Sequence, residues 1–166
     1  NSESYICVTD KSTTGPDVIS NDPTLFNLSE DQLFLNFFGR SFVDFEATST
    51  VVAPTDTGDL VGSLEQAFVI TGDAVLPNAT IGSRERPVAV VVEGNVSFQG
   101  TPTIHGVLYV RGDVAGGGNV KILGAAVVEG DVEPTGSVDI IYDPFTLAQL
   151  QSQGIPGFIP GSWRDW

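Results

Sequence analysis

The stretches that decide the fold are Val90-Val91-Val92-Glu93-Gly94-Asn95-Val96, Leu108-Tyr109-Val110-Arg111-Gly112-Asp113-Val114 and Ala126-Val127-Val128-Glu129-Gly130-Asp131-Val132. Each reads as three apolar residues, a charge, Gly, Asp or Asn, then Val, and the glycines stand 18 residues apart. A looser copy, Phe68-Val69-Ile70-Thr71-Gly72-Asp73-Ala74, precedes them at an offset of 22. A second series keeps step with the first: Thr103-Ile104-His105-Gly106, Lys121-Ile122-Leu123-Gly124 and the degenerate Asp139-Ile140-Ile141-Tyr142, with Thr80-Ile81-Gly82 as an earlier member. Self-similarity at a short fixed period is the mark of a repeat architecture.

Each unit is a short strand, a Gly-Asx corner, an irregular stretch, a second short strand and a Gly corner. Gly and Asx tolerate the positive φ that sharp corners use, and Asx can bond its own backbone there. Strands this short and this regularly spaced wind into a solenoid, each coil about 4.8 Å from the next. The chain is therefore expected to be mainly β, a short β-solenoid (β-helix) of about 18-residue coils. About three to four coils begin near residue 67, with a β-sandwich or jelly roll as the alternative.

A solenoid end exposes backbone and an apolar cross-section, so short capping helices are expected at both ends. Before the repeat, Ser29-Glu30-Asp31-Gln32 is a capping box, Leu28 and Leu33 form a hydrophobic staple, and Gly39 stops the helix. That helix carries Leu33, Phe34, Phe37 and Phe38 and should lie against the first coil. After the repeat, Asp143-Pro144 reads as N-cap and first helical residue, with Gly154 as the stop. Phe145, Leu147 and Leu150 would face the final coil. The expected organisation is an irregular region 1–65 with its short helix at 29–38, a solenoid at 66–142, and a helix with an extended tail at 143–166. Residues 43–58 read as a strand followed by a Thr/Pro/Asp loop, and the apolar tail with Trp163 and Trp166 packs back along a face.

Composition limits the function. The chain has 166 residues, enough for one domain with a real core, and 21 acidic against 7 basic residues give a net charge of −14. That balance opposes binding to a nucleic-acid backbone or an anionic lipid surface. Cys7 has no partner within the chain, which excludes an intramolecular disulfide. No run approaches the roughly 20 apolar residues that cross a bilayer. The start at Asn1, with no Met anywhere, predicts a trimmed or processed product, so that any anchoring segment would have been lost upstream.

Catalytic signals are sparse, and no catalytic, cofactor-binding or metal-binding residue is assigned. His105, the only histidine, occupies the repeat position of Leu123 and reads as a corner side chain; Ser97 is near it in sequence but nothing marks it as a nucleophile. No Cys/His spacing fits a metal, and Gly116-Gly117-Gly118 is a loop inside a coil, not a phosphate cradle. Arg111-Gly112-Asp113 spells an integrin tripeptide, but the repeat explains it. Asn27, Asn78 and Asn95 open N-glycosylation patterns that are read as chance. Asp73, Asp113, Asp131, Glu93 and Glu129 recur at equivalent corners, so like charges would line an edge unless solvated, interrupted by Arg111, or neutralised by a structural calcium ion.

The last half of the chain resembles the PilX-type minor pilins, assembly proteins of type IV pilus systems. The resemblance rests on Gly106-Val107-Leu108-Tyr109-Val110-Arg111-Gly112-Asp113, Gly124-Ala125-Ala126-Val127-Val128-Glu129-Gly130-Asp131, Ile141-Tyr142-Asp143-Pro144 and Pro160-Gly161-Ser162-Trp163-Arg164-Asp165. It extends weakly to Ile81-Gly82-Ser83 and to Pro87-Val88-Ala89-Val90-Val91-Val92; nothing in 1–60 matches a pilin signature. The resemblance implies a structural, non-enzymatic head domain, exposed on a filament or its tip and aiding adhesion or DNA uptake. Its partners would be other pilins or a tip adhesin. The protein would be extracellular or periplasmic, held in the inner membrane before assembly by an N-terminal helix absent from this chain. Rival readings are a glycan- or surface-binding adhesin module, a solenoid polysaccharide lyase or hydrolase, and a self-polymerising solenoid like a bactofilin.

Overall fold

A computed structural model describes residues 28–64, 66–152 and Ile155. Ten strands, all paired in parallel, wind into a β-solenoid of about 5 turns. The fold class read from the repeat is the one observed: mainly β, with coils of about 18 residues and short helices at the ends.

The strands stack in three columns. The first holds β1 (Thr50–Val52), β2 (Ala67–Ile70), β5 (Val88–Val92), the second half of β7 (Thr103–Val110) and the end of β8 (Val114–Val128). The second holds β3 (Ala74–Leu76), β6 (Val96–Gly100), the start of β8 and β9 (Val132–Pro134). The third holds β4 (Thr80–Ile81), the start of β7, the middle of β8 and β10 (Ser137–Ile141). Strand registers reproduce the repeat: Val90 pairs with Leu108 and Leu108 with Ala126, while Phe68 pairs with Val90 at the wider offset.

Inward side chains form continuous ladders, among them Ile81–Ile104–Ile122–Ile140, Val96–Val114–Val132 and Val52–Ile70–Val92–Val110–Val128. Such ladders bury about 1.5–3 kcal/mol of transfer free energy per large aliphatic side chain. The solenoid begins one coil before the repeat becomes legible. β1 pairs with β2, and a 3₁₀ turn, η1 (Thr57–Leu60), takes the second-column place, its Thr57 hydroxyl donating to the Val75 carbonyl at 2.8 Å. Val52 and Leu60 close that end of the core.

Among the described residues, three helices accompany the coils: α1 (Glu30–Phe38), α2 (Phe42–Glu46) and α3 (Pro144–Ser152). The capping box on α1 is present, with the Gln32 amide donating to Ser29 Oγ at 3.3 Å and the Ser29 amide to Gln32 Oε1 at 3.2 Å; Gly39 ends the helix at φ 70°. α2 takes the first part of the expected strand at 43–58, leaving β1 as the strand before the loop. Ser41 caps it, taking the Asp44 amide and bonding its carboxylate, and Phe45 is buried, so a local cap and a helical period override β propensity.

The short helices at both chain ends seal a flank of the first column. Phe34, Phe37, Phe38 and Phe45 from one side and Leu147, Leu150 and Ile155 from the other share a core with Val69, Ala89, Val91, Val107 and Tyr109, the outward residues of that column. The column is therefore apolar on both faces, and all of Val88–Val92 is buried. That is why the motif carries consecutive apolar residues and does not alternate. The expected tail packing of Trp163 and Trp166, the Gly154 stop and Cys7 lie outside the described residues.

Candidate functional site

The Gly-Asx corner is built by a ladder of cross-coil bonds. The Asn95 amide donates to Asp73 Oδ1 at 2.8 Å, the Asp113 amide to Asn95 Oδ1 at 2.8 Å, and the Asp131 amide to Asp113 Oδ1 at 2.9 Å. Each acidic or amide side chain thus satisfies the backbone of the coil below it. In the three regular units the glycines are needed for space and not for positive φ, whereas Gly72 in the looser copy does adopt positive φ, at 125°. A Cβ on Gly94 would stand 2.5 Å from Asp73 Oδ1, one on Gly112 2.5 Å from Asn95 Oδ1, and one on Gly130 would strike Asp113. The other corner does use positive φ: Gly106 lies at 137°, and a Cβ there would meet the Val88 carbonyl.

This ladder gives the Asp73 and Asp113 carboxylates a structural role as acceptors. Among the described residues no three of His, Cys, Asp and Glu converge into a metal-binding group. Cross-coil bonds also engage two of the N-glycosylation asparagines: Asn95 in this ladder, and Asn78 at a separate corner, where its Oδ1 accepts the Thr101 amide at 2.7 Å. The Arg111-Gly112-Asp113 tripeptide is absorbed too. Asp113 is a ladder rung, and Arg111 sits over the Phe42 ring at 4.9 Å, 3.2 Å from Asp31.

On the sealed flank, Tyr109 is buried among Phe34, Phe37 and Phe38, its ring centroid 5.0 Å from that of Phe34. Its hydroxyl donates to Glu129 Oε1 at 2.5 Å, and Glu129 Oε2 lies 3.8 Å from Arg111 Nε. The cluster ties α1 and α2 to the third and fourth full coils. A buried Tyr109 offers no platform for a sugar.

His105 lies where the repeat placed it, opposite Leu123, beneath an irregular loop. Residues 82–87 separate Ile81 from Val88, whereas His105 alone separates Ile104 from Gly106. The additional residues reach toward α3: Arg84 sits 3.4 Å from Asp143 and over the Phe145 ring at 4.8 Å, and Arg86 donates to the Leu64 carbonyl at 3.0 Å. Asp143 caps α3, accepting the Phe145 amide and the Thr146 hydroxyl, both at 3.0 Å. Desolvation raises the Asp143 pKa, but the Thr146 hydroxyl, the Phe145 and Thr146 amides and Arg84 outweigh it and hold the carboxyl below its ordinary value. Burial lowers the His105 pKa, against the pull of Glu85 and Asp143 and with a smaller push from Lys121. Its Nδ1 is buried with no hydrogen-bond partner. Neither Ser97 nor Ser83 bonds to it; the Ser83 hydroxyl faces Glu85 at 3.3 Å. A nucleophile–base pair is therefore not assembled here.

The most unusual surface is the last coil, which sequence reading had expected a helix to cover. Ile122 is 1% exposed, but Ile140, the next rung of its ladder, is 55% exposed, and Val132 is 36% exposed below the buried Val114. The signal was present in the sequence as the final, degenerate unit with Pro144 breaking the strand. Among the described residues, no strand pairs with the outer edges of β9 and β10.

The fold and these surfaces define a three-column parallel β-solenoid with one helix-sealed flank. Searches of family models, curated proteins and solved structures return no match for this chain. Among the described residues no helix is long and apolar enough to cross a membrane.

Proposed function

We propose that the chain is a structural or assembly component of a type IV pilus system, the head of a minor pilin-like protein carried on the filament or its tip. The resemblance of residues 81–165 to PilX-type minor pilins supplies the family. The observation that carries the structural role is the engagement of the repeat's polar residues: Asp73, Asn95, Asp113, Arg111 and Glu129 all hold coils or helices together. On this reading the protein does no chemistry; it presents shape, with acidic faces solvated and apolar surface offered to neighbouring subunits, at the cell surface or in the periplasm. Adhesion or DNA uptake would follow from what that surface holds.

The adhesin reading is weakened because Tyr109, the aromatic of the repeat, is buried. The bactofilin-like reading needs open coil ends, and the last coil provides one; a net charge of −14 and an opposite end filled by η1 oppose head-to-tail stacking. The upstream coding sequence tests the proposal. A short basic leader followed by about 20 apolar residues supports it, and deletion of the gene should then reduce surface piliation. A cytosolic start without such a segment, or normal piliation in the deletion strain, refutes it.

A further inference from the structure

Among the described residues, five of the eleven large hydrophobic residues that stand exposed, Val132, Ile140, Ile141, Tyr142 and Phe145, fall between residues 132 and 145. Two of them are core residues by register: Ile140 continues Ile104 and Ile122, and Val132 continues Val96 and Val114. Their exposure therefore marks the absence, among the described residues, of a following layer, not a tolerated surface substitution. The backbone tells the same story. Each upper Asx side chain accepts an amide from the next coil, and Asp131, whose amide donates to Asp113, stands last on that ladder. An extended segment laid against this edge would find unpaired strand groups, an apolar floor and a carboxylate in the register of the coils above.

Charge selects the occupant. Residues 124–143 contain five acids and no Lys or Arg, and of the five Glu129 already lies beside Arg111 and Asp143 beside Arg84. Asp139 pairs in register with Lys121 on the coil above, whereas Asp131 and Glu133 are exposed on a coil that has no base. A second copy brings another net −14 to an acidic rim. The chain's own residues 156–166 bring one Arg and one Asp, and Pro156 and Pro160 lack the amide that a ladder uses.

We propose that the open edge of the last coil is a docking site for an extended, β-forming segment of another protein, apolar in its alternate positions and flanked by lysine or arginine. The proposal rests on the geometry of this end and stands whether or not the chain belongs to a pilus.

The test uses the full 166-residue chain and a fluorescent synthetic peptide alternating valine and threonine between lysine pairs. Anisotropy should show saturable binding that weakens as salt rises. Ile140→Lys should weaken it about tenfold or more, and Asp131→Asn should weaken it less. Val43→Lys, on the exposed face of α2, should leave it unchanged and controls for added charge. Equal binding of a peptide with glutamate pairs, equal loss in Val43→Lys, or no binding overturns the proposal. So does binding that appears only after residues 156–166 are removed, which would make the chain's own tail the occupant. Sedimentation showing dimers that Ile140→Lys dissolves would make the occupant a second copy and overturn it as well.

Discussion

The two ends of the solenoid are finished differently. At the first coil, Leu60 from η1 and Val52 from β1 are buried at 1% and 5% exposure; at the last, residues that extend the same core stand in the open. The amino-acid types do not differ, since Ile140 is as apolar as Ile122. Ile122 has a paired coil on each side, whereas among the described residues Ile140 has one on a single side. In a linear repeat each coil owes its burial to its neighbours, so an end rung has the chemistry of the core and the exposure of the surface. The flank teaches the converse: Val91 and Tyr109 point away from the solenoid interior, yet helices bury them.

The comparison breaks most severely at the glycines that let coils touch. Gly106→Val should destabilise the chain by more than about 3 kcal/mol, because it combines a positive φ with a side chain driven into the Val88 carbonyl. Gly58→Ala, in the first-coil turn with open space around it, should change stability by less than about 1 kcal/mol. Urea denaturation of both measures the contrast. Next come the isoleucine rungs: Ile122→Ala should cost about 2–5 kcal/mol and Ile140→Ala less than about 1 kcal/mol by the same method. Equal losses would place both rungs in one environment.

The flank is tested by Tyr109→Phe, which removes the hydroxyl that donates to Glu129 and should cost about 1–3 kcal/mol. The corner ladder gives a smaller contrast. Asn95→Ala takes away the acceptor for the Asp113 amide and should cost about 1 kcal/mol, whereas Asp131→Ala, at the last rung, should be nearly silent.

The smallest effect is one of pH. Burial lowers the His105 pKa below its ordinary 6.5, so the unfolded chain takes up a proton before the folded one does. The stabilisation from neutral His105 is present above about 6.5 and is lost as pH falls through the lower folded value. His105→Leu, which copies the residue at the equivalent position, should flatten stability against pH in that window; an unchanged profile would assign the dependence to other groups.

How much of this was legible depends on whether a feature repeats. The coils, their register and the corner positions were readable because Gly94, Gly112 and Gly130 keep an 18-residue spacing, and the Ser29–Gln32 capping box is a local signal that needs no tertiary information. The first coil was missed because Thr50-Val51-Val52 is short and the Gly-Asx pair that follows it, Gly58-Asp59, stands outside the spacing of the later units. The double-sided column was signalled by Val90-Val91-Val92, but consecutive apolar residues do not reveal what covers the outer face. The Arg84–Asp143 clamp joins a loop to a helix far along the chain, and no periodicity announces such a pairing. The candidate surface was legible only as an absence, a last unit with nothing of its own kind after it.

The contrast along one ladder is tested most directly by thiol labelling in a Cys7→Ser background, with Ile122→Cys and Ile140→Cys probed separately under native conditions. The open-end account predicts that the thiol of Ile140→Cys reacts at close to the rate of a free thiol, while that of Ile122→Cys reacts only as fast as the protein unfolds. Protection of both thiols in the isolated chain would contradict it.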